Sequence, residues 1–175
     1  MKNARRSVCA CVALLLACLL VACEPDMGDL QPLAQEGAEL TKTIVEGDTA
    51  QISRGHLKVK ARGRWQALQS AADLHLEISN TGDKALKLNL SQAEFVSAQS
   101  ERLKPNVLID EDAQTQPATL IKSGEVEVAA QQTRKIGLSF KSATDGQAKD
   151  FLGKTATFYL TSDFKFVFQY VESRY

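Results

Sequence analysis

Alternation of apolar and polar residues with a period of two dominates the chain beyond residue 40. Leu57-Lys58-Val59-Lys60-Ala61 alternates, as do Leu74-His75-Leu76-Glu77-Ile78-Ser79, Glu125-Val126-Glu127-Val128 and Arg134-Lys135-Ile136-Gly137-Leu138-Ser139-Phe140. Successive side chains of a strand point to opposite faces, so each run predicts a strand with one buried face. Phe164, Phe166, Phe168 and Tyr170 line one face of a last strand. Four large rings on one face form the core of a sandwich more readily than a ligand platform or the closing strand of a membrane barrel. Shorter strands are predicted at Thr41–Val45, Ala50–Ser53, Phe95-Val96, Leu103–Ile109, Thr119–Ile121 and Thr155–Leu160. Pro105 gives the Leu103–Ile109 segment an edge or irregular position.

Asn80-Thr81-Gly82-Asp83 separates two alternating segments, Leu74–Ser79 and Lys84–Leu90. Asn, Gly and Asp suit a tight bend, so the pattern predicts a β-hairpin there. Trp65, the only tryptophan, is expected in the core, with a contact to a ligand or partner as its alternative use. His75 falls on the polar face of its strand and is expected to be solvated. Asp110-Glu111-Asp112 and the polar residues after it predict an exposed loop; the glycine-containing spacing of a calcium loop is missing. About eight to ten short strands with regular turn signals predict an all-β fold, an antiparallel β-sandwich.

The first 22 residues have a different pattern. Lys2, Arg5 and Arg6 precede an apolar run from Val8 to Ala22. A cationic start, an apolar stretch and small residues before a cut make a signal peptide, expected as a helical leader. Leu20-Val21-Ala22-Cys23 resembles the lipobox of bacterial lipoproteins. The resemblance implies a diacylglyceryl thioether on Cys23, cleavage between Ala22 and Cys23, and an acylated Cys23 amine. Cys18 is a weaker match, because apolar residues continue after it. Cys9, Cys11 and Cys18 would leave with the leader, so no thiol would remain for a disulfide, a metal or a nucleophile. Residue 24 is Glu, not the Asp that retains enterobacterial lipoproteins at the inner membrane. The resemblance therefore implies an outer-membrane protein facing the periplasm. The expected organisation is a leader over 1–22, a lipidated N-terminus and flexible tether over 23–37, and a β-sandwich over 38–175. Pro25, Gly28 and Pro32 motivate the tether.

Residues 57–141 are similar to immunoglobulin-like domains of small bacterial lipoproteins. The resemblance rests on Leu74–Lys84, with its Asn-x-Gly turn, and on Gln132–Phe140, a turn leading into a strand that ends in Phe. Gln131-Gln132 stands where that family usually has Pro-Gly. The resemblance implies an immunoglobulin-like sandwich and carries over no catalytic or binding residue.

Removing the three leader cations from 21 basic residues leaves 18 against 21 acids, a formal net charge of −3. That balance gives no footprint for nucleic acid. No phosphate loop, nucleophile elbow or paired-His metal motif occurs. His56 and His75 are the only histidines, and Met27 is the only methionine beyond the leader. The expectation is a non-catalytic module without cofactor or metal, held on a membrane through Cys23 and working with an envelope protein. A small-molecule or lipid-binding lipoprotein is the alternative, and an envelope hydrolase a more distant one.

Overall fold

A computed structural model describes residues 27–35, 43–66, 71–113, 119–142, 151–162 and 164–172. Among them are fourteen strands. They are β1 (Met27–Leu33), β2 (Ile44–Glu46), β3 (Thr49–Arg54), β4 (Leu57–Gln66), β5 (Ala71–Asn80), β6 (Leu86–Asn89) and β7 (Glu94–Val96). Then come β8 (Arg102–Leu103), β9 (Val107–Asp110), β10 (Thr119–Leu120), β11 (Glu125–Val128), β12 (Thr133–Lys141), β13 (Thr155–Thr161) and β14 (Phe164–Glu172). Several have only two to four residues, which is why sequence patterning finds fewer.

All pairing is antiparallel. One sheet runs β10-β9-β12-β5-β4-β1-β14-β13-β7-β8, with β3 and β2 branching from β4, and β6 pairs with β11 in a second, two-stranded sheet. The branch lies within β4. Residues 57–61 of β4 pair with β3, while residues 63–66 pair with β1. Past this fork the sheet turns over its own face. The result is a sandwich-like all-β domain.

The alternating faces bury as the pattern predicts. Val59 and Ala61 of β4, Leu74, Leu76 and Ile78 of β5, and Ile136, Leu138 and Phe140 of β12 form one inner face. Phe158 of β13 and Phe164, Phe166, Phe168 and Tyr170 of β14 form the other. Phe140 bridges the layers, with its ring centroid 5.5 Å from that of Phe95 and 5.9 Å from that of Phe158. Burying aromatic side chains of this size supplies much of the hydrophobic stabilisation of such a core.

Two expectations need correction. The tether expected over 23–37 is a strand over Met27–Leu33, set between β4 and β14. Leu30 is buried, and the indole of Trp65 lies across Gly28. The proline in β1 is tolerated because Pro32 has a strand partner on one side only, Phe168 of β14. The sheet therefore includes Met27–Leu33, ahead of residue 38. The hairpin expected around Asn80–Asp83 does not form. β5 pairs with β4 and β12, whereas β6 pairs with β11.

Asn80 explains the second difference. Its side chain is 1% exposed. Its Nδ2 donates to the carbonyls of Lys84 at 2.8 Å, Val128 at 3.1 Å and Ala129 at 3.2 Å, and its Oδ1 accepts from the Gly82 amide at 3.0 Å. Gln131 closes the other side, donating from Nε2 to the Thr81 carbonyl at 2.7 Å. The turn groups are thus bonded to the segment between β11 and β12, and the chain arches from one layer to the other. The long hairpin of the fold is instead β4–β5, in register from Leu57↔Asn80 to Gln66↔Ala71.

The Leu103–Ile109 segment is divided into β8 and β9 around Lys104-Pro105-Asn106. Proline has no amide proton for a ladder, and here it falls between two strands that pair with different partners.

Candidate functional site

Cys23 and Ala22, the residues assigned to lipidation and cleavage, lie outside the described residues. Trp65 is 5% exposed at the end of β4. Its ring stands edge-on to Tyr170 at 5.3 Å and to Phe151 at 5.9 Å, and its Nε1 is 3.5 Å from the Val171 carbonyl. The crevice beside it, also lined by Phe95 and Leu103, measures about 30 Å³, about the volume one water occupies in the liquid. Trp65 is packed in the core, and among the described residues the crevice beside it is no larger than this. Burial pushes the Tyr170 phenol up to about 12, partly offset by a hydrogen bond from the Ala98 backbone.

Two clefts lie on the outward face of the β3–β4–β5–β12 layer. Alternation places Lys58, Lys60, Arg62 and Arg64 together on the outer side of β4. Their neighbours on β5 are Ser79, Glu77, His75 and Asp73 respectively. Lys60 pairs with Glu77 at 3.1 Å. Arg64 lies between Asp73 of β5 and Asp29 of β1 in register. Arg62 has only His75 across from it, and among the described residues its guanidinium has no ion-pair or hydrogen-bond partner.

His75 is itself engaged. Its Nδ1 lies 2.5 Å from Oε1 of Glu111. Gly137 makes room for that contact. It is the neighbour of His75 on β12, and a Cβ there would meet Glu111 Oε1 at 2.8 Å. The acidic loop is held on both flanks. Asp110 accepts from Arg134 Nη2 at 2.6 Å, and Asp112 accepts from the Lys135 amide at 2.8 Å. Glu111 and Asp112 are exposed as expected, and the three acids are also fastened to β5 and β12.

Two clefts meet at Arg62 and His75. One, of about 380 Å³, is bounded by Glu46 of β2, Lys60, Glu111 and Lys135. The other, of about 640 Å³, is bounded by Asp29, Gln31, Asp48 and Arg64. The fork in β4 creates this relief, because the β2–β3 hairpin leaves the sheet where β1 joins it. Gly63 sits at the fork. A Cβ there would meet Leu74 at 2.7 Å and Leu30 at 2.9 Å, so a bare backbone is required for the two leucines to approach it from both sides.

The arrangement suits recognition by mixed charge. Among the described residues no group of three or more His, Cys, Asp or Glu side chains is placed to hold a metal ion. No helix among them is long and apolar enough to cross a membrane. Lys58 and Lys60 were legible as outward residues of the alternating run, whereas Arg62 and Arg64 lie beyond its end. The Glu111–His75 contact was not legible, since it joins residues 36 apart through a glycine on a third strand. No family model, curated protein or solved structure matches this chain.

Proposed function

We propose that the protein is a bacterial lipoprotein, cleaved after Ala22 and acylated on Cys23, that serves as a non-catalytic interaction module of the cell envelope. We place it at the outer membrane, facing the periplasm. The observation that carries this reading is Leu20-Val21-Ala22-Cys23 at the end of an apolar leader, followed after three residues by the first strand of a β domain. The resemblance of residues 57–141 to immunoglobulin-like lipoprotein domains supports the same reading. Sandwich edges and loops commonly present binding surfaces to other proteins.

Crosslinking in living cells followed by affinity capture tests it. The anchored protein is compared with a secreted form lacking Cys23. An envelope protein enriched only with the anchored form is the expected result. No protein enriched with either form would overturn the interaction role.

A second reading, a lipoprotein that binds a small ligand, is favoured by the two clefts and by the Arg62 guanidinium between them, which has no ion-pair or hydrogen-bond partner among the described residues. A guanidinium offers planar, paired donors to a carboxylate or phosphate. Native mass spectrometry of the purified protein checks it. An Arg62-dependent adduct supports this reading, and an unliganded spectrum across anionic candidates rejects it.

A further inference from the structure

We infer that the end of the sandwich carrying Met27, Trp65 and Glu172 is held against the lipid headgroups, with the opposite end, at His56 and Gln131, turned away. The inference rests on the lipoprotein reading above and adds an orientation to it. Three residues, Glu24 to Asp26, separate Cys23 from Met27. Four Cα steps at full extension span about 14 Å. A tether of fifteen residues would have left the domain free to tumble; this leash does not.

The leash cannot be lengthened cheaply by unpicking β1. Its first residues are paired on both sides, Met27–Leu30 with β4 and Gly28–Leu33 with β14. Pulling them out would expose Leu30, which is 1% exposed, and would uncover Trp65 where it lies across Gly28. The height of the domain then sets the orientation. β4 has ten residues and spans about 33 Å. Its last residue, Gln66, neighbours Met27, and its first, Leu57, adjoins the turn at His56. The leash is less than half this height, so the anchored end stays at the bilayer. Asp29 and Arg64, which line the 640 Å³ cleft, belong to the anchored end for the same reason.

The test uses the full chain expressed with its leader, purified from membranes and reconstituted into phosphatidylethanolamine–phosphatidylglycerol vesicles carrying a dansyl-labelled headgroup. Trp65 is the only donor tryptophan. Its strand neighbour, Gly28, is five residues from Cys23, placing it within about 18 Å of that residue by chain length. Strong energy transfer from Trp65 to the headgroups is expected. A twelve-residue Gly/Ser insertion between Asp26 and Met27, with a root-mean-square span of about 19 Å, should cut that transfer roughly twofold or more.

Single cysteines at two exposed positions give a second measurement that leaves the core untouched. Glu172→Cys should be shielded from a polymeric maleimide on vesicles, and His56→Cys should be labelled several-fold faster, the difference vanishing in detergent. Equal labelling on vesicles, or transfer unaffected by the insertion, would overturn the orientation while leaving the anchor intact. An intact mass without acyl groups on Cys23 would overturn the anchor, and the orientation with it.

Discussion

Gly28→Ala is the most discriminating substitution in this chain, because two accounts of the N-terminal segment give it opposite signs. In a free tether, Gly→Ala would be neutral or would stabilise by ~0.4–1 kcal/mol, by reducing the freedom of the unfolded chain. In β1 the added Cβ would lie 1.7 Å from Trp65 Nε1 and 2.4 Å from Cε2. Those separations are far inside van der Waals contact, so the indole or the strand must move. The indole is a rigid ring, not the end of a flexible chain, and it is 5% exposed. Displacing it disturbs edge-on contacts to Tyr170 and Phe151, worth ~0.5–1.5 kcal/mol each. Overpacking strain adds ~1–3 kcal/mol. The expected loss is about 3 kcal/mol, or about 6–12 °C in Tm for a domain of this size. Urea unfolding of a form starting at Glu24 measures it, with Trp65 fluorescence and far-ultraviolet circular dichroism as parallel probes. Trp65→Leu in the Gly28→Ala background should recover part of the loss, giving a coupling of about 2 kcal/mol in the double-mutant cycle. An unchanged or raised midpoint in Gly28→Ala would refute the placement of β1 beneath Trp65.

The remaining predictions concern other parts of the fold. Asn80→Ala removes four hydrogen bonds and leaves three carbonyls short of a donor at the arch between layers, so a loss of ~2–4 kcal/mol is expected in thermal or urea unfolding; a change below ~0.5 kcal/mol would contradict the arch. Tyr170 is neutral in the fold up to a pKa of about 12 and ionises near 10.0 when unfolded, so its stabilising contribution is full below pH 10 and is lost as pH rises toward 12. Between pH 9 and 11.5 the parent should therefore lose on the order of 2 kcal/mol more than Tyr170→Phe, and parallel pH curves would show the phenol is not buried. Arg134→Ala removes the ion pairs to Asp110 and Asp112, leaving Asp112 on the Lys135 amide, and should cost about 1 kcal/mol, since the pairs are partly exposed. Faster amide exchange at Glu111 and Asp112 is the specific readout, and unchanged exchange would show that the corner is held by other contacts.

Local pattern determined much of this protein. Period-two alternation identified the core faces of β4, β5, β12 and β14 residue by residue, because a strand's side chains take sides by parity alone. The expected leader and the lipobox-like stretch ending in Cys23 rest on contiguous stretches of polarity and size in the same way. Parity does not say which strand lies beside which, and there the tertiary structure decided. Leu74–Ser79 and Leu86–Leu90 carry the signature of a hairpin, yet buried Asn80 turns the chain into an arch and gives each segment other partners. Gly28 and Pro32 resemble punctuation of a linker until the fold places a tryptophan over one and a single strand neighbour beside the other. The same holds for the cleft. His75 was visible as an outward residue, but Glu111 meets it only because Gly137, on another strand, has no side chain. Contacts between residues distant in the chain depend on close packing in three dimensions, and no local window of residues contains them.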